Sequence, residues 1–190
     1  MSNKGYGLEH EIEAAFLQLE GKTCEDPIFD TSGKITRTFR VPTSGMMASL
    51  PGDVVTGNPK FTRQFMVECK ARRHSSKKEG IIFRLNMGWV EKNEKEAVIA
   101  GYLPVFVLSF KGTQKNRLWV VINSTVLEYF YGKFPPAVAV PIAWKKKKTV
   151  ILVKNYLDKH CYIHAIGNLF LLPWSDFFTR IKYAVNHENN

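Results

Sequence analysis

Two segments near the ends of the chain repeat their apolar residues with the period of an α-helix. Residues 7–20 and 174–185 each place apolar side chains three and four positions apart, so that one face of each segment is apolar. A helix is also predicted over residues 87–100, with Gly101 as its stop. A shorter helix is expected to end at Tyr131, after the capping residues 123–125.

Patterns typical of β-strands fill most of the chain between these helices. Residues 103–110 are almost continuously apolar, as in a strand buried on both faces, and residues 117–122 are expected to pair back after a turn. Residues 22–42 alternate like a hairpin with a turn at 31–33. Further strands are predicted over residues 53–56, 65–69, 149–153 and 162–172. This order of elements predicts an α/β fold with a central mixed β-sheet flanked by helices.

Length and composition limit the organisation and the partners of the protein. A chain of 190 residues suits one domain, and a change of composition near Gly132 divides it into a core of residues 1–131 and a basic C-terminal extension, residues 132–190, packed on that core. The net charge of +10 suggests an anionic partner such as nucleic acid, although some basic proteins have none. The three cysteines are isolated, which argues against a disulfide framework and a structural zinc site.

The chain has no apolar run long enough to span a membrane and no apolar signal-peptide region at its N-terminus. We therefore expect no membrane partner and a cytoplasmic location.

The residues most suggestive of chemistry lie on the two strands predicted within residues 51–70. Asp53 begins the first strand, whereas Glu68 and Lys70 share one face of the second, because alternate side chains of a strand point the same way. Charged groups beside a core are costly, but a metal ion and a phosphate would stabilise them. The alternative is an ordinary edge strand whose opposite charges are paired in register.

The chemistry expected of this arrangement is hydrolysis of a DNA phosphodiester. Mg2+ prefers oxygen ligands, and we predict Asp53 and Glu68 as direct ligands, with Mn2+ as a substitute metal. The backbone carbonyl of Cys69 is a plausible third ligand. Lys70 would orient the attacking water and counter the charge of the phosphate.

Two further groups of charged residues are candidates for the same site. Glu9 and Glu11 lie on opposite edges of the apolar stripe of the first helix, and periodicity does not select between them. Either one could instead be a solvated first-turn glutamate favoured by the helix dipole. The basic segment 71–78 is expected to be a phosphate-contacting loop or a solvated loop. Its basic side chains are Arg72, Arg73, Lys77 and Lys78.

Several stretches, in the same order, resemble the archaeal Holliday junction resolvases of the PD-(D/E)XK nuclease superfamily. Residues 4–12 are similar to their K-G-x-x-x-E-R-E-L start, and residues 40–45 to their R-x-x-x-S-G stretch. Residues 101–110, followed by Trp119, resemble their G-x-x-P-V-x-A-V-x-F strand. The similarity extends over about residues 4–131, with Asp53 and the Glu68-Cys69-Lys70 run as the two halves of the nuclease motif.

The resemblance implies a restriction-endonuclease-like fold and a homodimeric, Mg2+-dependent endonuclease. Such an enzyme makes paired nicks in opposing strands of a four-way junction in double-stranded DNA. The catalytic positions of the family fall on Glu9, Asp53, Glu68 and Lys70. The match therefore selects Glu9 over Glu11, with Glu9 binding the metal through a water molecule.

The resemblance also bears on residues that would contact DNA. Arg40 and Ser44 fall on accessory positions near the phosphate. His10 stands where the family has an arginine, so its phosphate contact is expected to be weaker or pH-dependent. The hairpin of residues 22–37 is longer than the family shows, and residues 132–190 have no recognised counterpart.

Other interpretations of the sequence remain open. The chain could be a different PD-(D/E)XK endonuclease of restriction or repair type, or a non-catalytic, basic DNA-binding module with structural acids. Lys145 to Lys148, with Trp144 or Tyr156, either extend a DNA-binding surface or form a solvated hairpin tip. His160, Cys161 and His164 are better explained by ordinary packing than by a metal site. Exposed apolar residues near Phe106–Phe110 and Trp119 are candidates for a dimer interface.

Overall fold

A computed structural model describes residues 6–42, 52–57, 59, 61–72, 75–77, 80–110, 117–131, 140–141, 149–153, 164–166 and 168–187. Four helices lie within these ranges: α1 (Tyr6–Glu20), α2 (Met87–Ala100), α3 (Ser124–Tyr131) and α4 (Trp174–His187). The strands are β1 (Phe39–Arg40), β2 (Val54–Val55), β3 (Phe65–Arg72), β4 (Ser75–Lys77), β5 (Gly80–Asn86), β6 (Leu103–Phe110), β7 (Leu118–Asn123), β8 (Val140–Pro141), β9 (Thr149–Val153), β10 (His164–Ile166) and β11 (Leu169–Pro173).

A mixed sheet of eight strands forms the centre of the fold, in the order β1-β2-β3-β6-β7-β11-β10-β8. Its third and fourth strands, β3 and β6, are parallel over the full length of both strands, and α2 lies in the crossover between them. The neighbouring pairs β2–β3 and β6–β7 are antiparallel. A second, smaller sheet has the order β4-β5-β9. The predicted α/β class with a mixed sheet flanked by helices is confirmed.

Helices cover both faces of the main sheet, and each face has its own apolar core. On one face, side chains of α1, α3 and α4 pack against alternate residues of β6, including Val105 and Val107. On the other face, Met87 and Val90 of α2 lie in one cluster with Phe106, Leu108 and Trp119. Phe106, Leu108, Phe110 and Trp119, named as a candidate dimer interface, are buried in this second cluster and therefore cannot form that interface. The homodimer stays a prediction.

Local sequence signals set the ends of the elements that were predicted best. Helix α2 begins at Met87, where the Asn86 side chain accepts a hydrogen bond from the Gly88 N–H, and it ends at Gly101, whose φ is +78°. Helix α3 begins after Asn123, whose Oδ1 accepts from the Val126 N–H at 3.1 Å. These caps confirm the predicted helices, and β6 spans the predicted residues 103–110.

Three predicted segments differ from the structure. Within the described part of the predicted strand 162–172 lie two antiparallel strands, β10 and β11, with Ile166 paired with Leu169. The predicted loop 71–78 instead continues β3 to Arg72 and then forms β4, which pairs with β5. Strand β4 was missed because the polar residues of 71–78 conceal the strand pattern, and no strand was predicted for β5.

The predicted hairpin of residues 22–42 is reduced to a bridge between Phe29 and Ile35 around the predicted turn. Asp30 holds this turn by accepting hydrogen bonds from the N–H groups of Ser32 and Lys34. Outside this bridge, the Arg37 side chain donates hydrogen bonds to the carbonyls of Cys24 and Asp26. These side-chain bonds connect the two arms where a strand ladder was predicted. The chain then enters β1, which pairs with β2.

The described residues of the predicted C-terminal extension share the core of the preceding part. Strand β11 pairs with β7 in the main sheet, and Phe177, Ile181 and Val185 of α4 pack in the same cluster as β3 and β6. The boundary at residue 131 stays a prediction. Among the described helices, none combines the length and the apolar character that a membrane span requires.

Candidate active site

The pairing of β2 with β3 brings the two predicted metal ligands together. Val54 lies opposite Val67 in an antiparallel ladder, so extending the register by one residue places Asp53 opposite Glu68. The Asp53 N–H donates to the Val67 carbonyl at 2.9 Å. Its side-chain Oδ2 accepts from the Cys69 N–H at 2.8 Å. Asp53 thus extends the pairing with β3 by one residue before β2 begins, and this fixes its carboxylate beside β3.

The glycine before Asp53 permits this close approach. Gly52 has a φ of +85°, and a Cβ atom there would lie 2.7 Å from Met66 Cγ and 3.3 Å from the Val67 carbonyl oxygen. Gly52→Ala therefore combines a strained backbone with a steric clash. We expect it to lower the free energy of unfolding by roughly 2–4 kcal/mol.

Gly21→Ala is the matched control for Gly52→Ala in a thermal unfolding experiment. Gly21 also has a positive φ, +68°, but a Cβ there would meet nothing within 4 Å. It should lose only the backbone cost, about 1–2 kcal/mol. Equal losses in the two variants would contradict the close packing assigned to Gly52.

Lys70 bridges the two carboxylates. Its Nζ lies 3.7 Å from Asp53 Oδ2 and forms a direct ion pair with Glu68 Oε1. Burial alone would lower the pKa of Lys70, but the hydrogen bond to Glu68 and the charges of Glu68 and Asp53 raise that pKa above its usual value. Lys70 is therefore a fixed cation at neutral pH, with 27% of its side chain exposed.

The surroundings of Glu68 disfavour the charged form of its carboxylate. Burial raises the pKa of Glu68, and the negative charge of Asp53 raises it further. Lys70, and more weakly Lys92 on α2, oppose this rise. A carboxylate that remains partly unfavourable in its charged form is the group that a bound cation would stabilise most.

Glu9 reaches the same cluster from α1, whereas Glu11 does not. Burial raises the pKa of Glu9, the charge of Asp53 adds to the rise, and Arg40 and Lys70 oppose it. The charges of Asp53 and Lys70 therefore both act on the Glu9 carboxylate. Glu11 is exposed and forms an ion pair with Arg117. The structure thus brings Asp53, Glu68 and Lys70 into contact, and Glu9 lies near enough for the charges of Asp53 and Lys70 to act on its carboxylate.

Two carboxylates are the metal-ligand type that this cluster offers. Within the described ranges, no three His, Cys, Asp or Glu side chains are grouped so as to hold a metal ion. Asp53 and Glu68 provide hard oxygen atoms, and Mg2+ commonly takes one or two carboxylates and keeps several waters. Burial, and after it the negative charge of Asp53, raises the pKa values of Glu9 and Glu68, so a bound cation would favour their charged forms. These residues therefore fit Mg2+.

Cys69 contributes to this site through its backbone rather than its thiol. The thiol is buried among the apolar side chains of the α1 face, and burial, followed by the charges of Asp53, Glu9 and Glu68, raises its pKa well above the usual value. It is therefore protonated at neutral pH. The carbonyl of Cys69 stays a predicted ligand.

Sequence reasoning missed one carboxylate, Glu13. It is buried, and its Oε2 lies 3.0 Å from Arg40 Nε and 3.2 Å from His10 Nδ1. Its Oε1 lies 3.9 Å from Nη1 of Arg37, which is also buried. The signal available in the sequence was its spacing of four residues from Glu9, which places both on one side of α1.

The predicted DNA-binding residues are described to different extents. Arg40 is partly exposed at the end of β1, and His10 is exposed on α1. Arg72 ends β3 and Lys77 ends β4, where the backbone alone is described. Outside the described residues lie Ser44, Arg73, Lys78, Trp144, Lys145 to Lys148, Tyr156, His160 and Cys161.

Comparisons of the chain with protein-family models, curated proteins and solved structures find no match. The case for its function therefore rests on the residues and geometry of this site.

Proposed function

We propose that the protein is a Mg2+-dependent endonuclease that acts on branched double-stranded DNA. The observation that carries the proposal is the convergence of Asp53, Glu68 and Lys70 where β2 begins beside β3. Glu9 on α1 supports it, because its carboxylate lies close enough for the charges of Asp53 and Lys70 to act on its pKa. The net charge of +10 provides the long-range attraction that a polyanion needs.

Each side chain has a distinct task in this proposal. Asp53 and Glu68 would hold Mg2+, with Glu9 contacting it through water and the Cys69 carbonyl as a further ligand. Bound Mg2+ supplies a Lewis acid and lowers the pKa of a coordinated water. Lys70 lies within reach of both carboxylates and orients the attacking water while opposing the charge that builds up on the phosphate.

Selectivity for a four-way junction is the finer part of the proposal. It rests on the resemblance of residues 4–131 to the resolvases and on a homodimer that would present two sites to two opposing strands. Recognition would depend on backbone shape and charge more than on base edges, because a junction is defined by its geometry. The same site in a monomer suits the alternative, a restriction- or repair-type endonuclease.

The decisive experiment incubates the protein with an end-labelled four-way junction and Mg2+, beside a linear duplex of the same sequence. The expected result is a pair of symmetric nicks in opposing strands of the junction and little cutting of the duplex. Equal cutting of both substrates would refute junction selectivity but not the nuclease assignment. Binding to both without cleavage in Mg2+ or Mn2+ would favour the non-catalytic DNA-binding module.

Adding Mg2+ is expected to stabilise the fold in the absence of DNA. Because the ion binds the folded site alone, a concentration of 100 times its dissociation constant would add about 2.7 kcal/mol to the free energy of unfolding. For a chain of this size the melting temperature should rise by roughly 5–10 °C.

Differential scanning calorimetry with and without a chelator measures this rise, with Glu68→Gln and Glu11→Gln as the test and control variants. Glu68→Gln should remove most of it, whereas Glu11→Gln should keep it, because Glu11 pairs with Arg117 away from the cluster. An equal rise in both variants would place the metal elsewhere.

A further inference from the structure

Glu13 joins the candidate active site to a buried network of charged residues. It lies one helical turn after Glu9 on α1, and two carboxylates at this spacing repel each other. Arg40, which lies on β1, reduces this repulsion between the two carboxylates. Its Nε donates to Glu13 Oε2 at 3.0 Å, and its charge also acts on the neighbouring Glu9 carboxylate.

Glu13 holds Arg40 through both of its carboxylate oxygens, in addition to its contacts with His10 and Arg37. Its other oxygen, Oε1, accepts from the Arg40 backbone N–H at 3.3 Å, so the side chain and the backbone of one residue are both held. The side chain of Glu13 is only 8% exposed, whereas that of Arg40 is 24% exposed. The pair therefore runs from the protein interior to the surface beside the site.

Arg37 adds a second positive charge beside Glu13, so the negative charge of Glu13 is shared between two arginines. Its guanidinium donates to the carbonyls of Cys24, Asp26 and Thr38 and lies 3.9 Å from Glu13. These bonds fix a buried cation next to the glutamate. One carboxylate thus faces two guanidinium groups, and the local charge stays positive beside a cluster of carboxylates.

We propose that Glu13 is a positioning residue that holds Arg40 beside Glu9, and that the guanidinium held in this way contacts the phosphate backbone of the bound DNA. The inference rests on the proposed function, because it assigns DNA as the partner of Arg40. A bidentate guanidinium recognises phosphate well only when its plane is fixed, and the bond to Glu13 fixes it.

The test measures the affinity of the full-length protein for a four-way junction at several salt concentrations, with a chelator present to prevent cleavage. Glu13→Gln should weaken binding roughly tenfold, a typical cost of losing a partner that orients a binding residue. The slope of log affinity against log salt concentration should decrease by about the amount that corresponds to one lost phosphate contact. Glu11→Gln is the control, because it removes the same charge from a glutamate–arginine pair on the same helix.

A double-mutant cycle separates positioning from a merely structural role. If Glu13 acts through Arg40, Glu13→Gln should cause little further loss of affinity in an Arg40→Ala background. A purely structural Glu13 would lower the melting temperature, leave the salt slope at the wild-type value and add its effect to that of Arg40→Ala. Additive losses or an unchanged slope would overturn the proposal.

Arg40→Lys serves if Glu13→Gln fails to fold. Lysine keeps the positive charge but has no Nε–H for Glu13 to hold, so most of the tenfold loss is expected there as well. Wild-type affinity in Arg40→Lys would overturn the inference and leave the nuclease proposal intact. A wild-type protein that binds no DNA and cuts none would refute both.

Discussion

Asp53→Asn is expected to lower the rate of junction cleavage by at least about 10³-fold, while affinity for the junction stays within about threefold. The substitution removes a negative charge and keeps the shape of the side chain. The oxygen of an asparagine can still accept the hydrogen bond from the Cys69 N–H that Asp53 Oδ2 now accepts at 2.8 Å. The local backbone should therefore stay in place while the metal loses a ligand.

Glu68→Gln should give the same result by the same reasoning. Its carboxylate is raised in pKa by burial and by Asp53, so a neutral glutamine relieves repulsion in the metal-free protein. Without Mg2+, the unfolding temperature of this variant should fall only by the amount that the lost ion pair between Lys70 and Glu68 accounts for. A loss of cleavage then reflects chemistry and not unfolding.

Single-turnover cleavage and junction binding, measured on the same preparations, test both substitutions. Glu11→Gln is the control and should cut at the wild-type rate, since Glu11 pairs with Arg117 outside the cluster. Cleavage at more than about a tenth of the wild-type rate in Asp53→Asn and Glu68→Gln would exclude the assigned metal site. Loss of binding together with cleavage would point to a role in DNA recognition instead.

The parts of the fold that the sequence predicted well are those defined by local signals. Helix α2 has an asparagine cap and a terminal glycine, and β6 is apolar at nearly every position because both of its faces are covered. The hairpin of β10 and β11 was read as one strand because its turn has only two residues. Strand β4 was missed because its pairing with β5, and not its own composition, makes it a strand.

The residues of the candidate site also divide into those that local sequence signals predict and those that depend on tertiary contacts. Asp53, Glu68 and Lys70 could be predicted because strand alternation and a short hairpin bring them together. Periodicity does not choose between Glu9 and Glu11, and in the sequence only the family resemblance favoured Glu9. The spacing of Glu13 from Glu9 places it on the same side of α1, but its burial could not be predicted, because it depends on Arg37 and Arg40, which approach it through long-range packing. Tertiary contacts of this kind leave no periodic trace in a sequence.

Lys70→Met should lower the cleavage rate about 10²–10³-fold and move the acid limb of the pH–rate profile to higher pH. Both effects follow from the position of the Nζ atom between Asp53 and Glu68. The Lys70 charge opposes the rise in the pKa of Glu68 and of Glu9. Without it both pKa values rise further, and metal binding requires the deprotonated carboxylates. Activity should therefore disappear at a higher pH as the solution is acidified.

Two companion variants separate the charge of Lys70 from its geometry. Lys92→Met removes a cation that also opposes the rise in the pKa of Glu68, but that side chain is 67% exposed and pairs with Glu96. Its acid limb should shift less, and its maximal rate should stay near that of the wild type. Lys70→Arg keeps the charge with a different shape, so the rate should fall while the acid limb remains in place. An unshifted acid limb in Lys70→Met would show that Lys70 does not control the ionisation of these carboxylates.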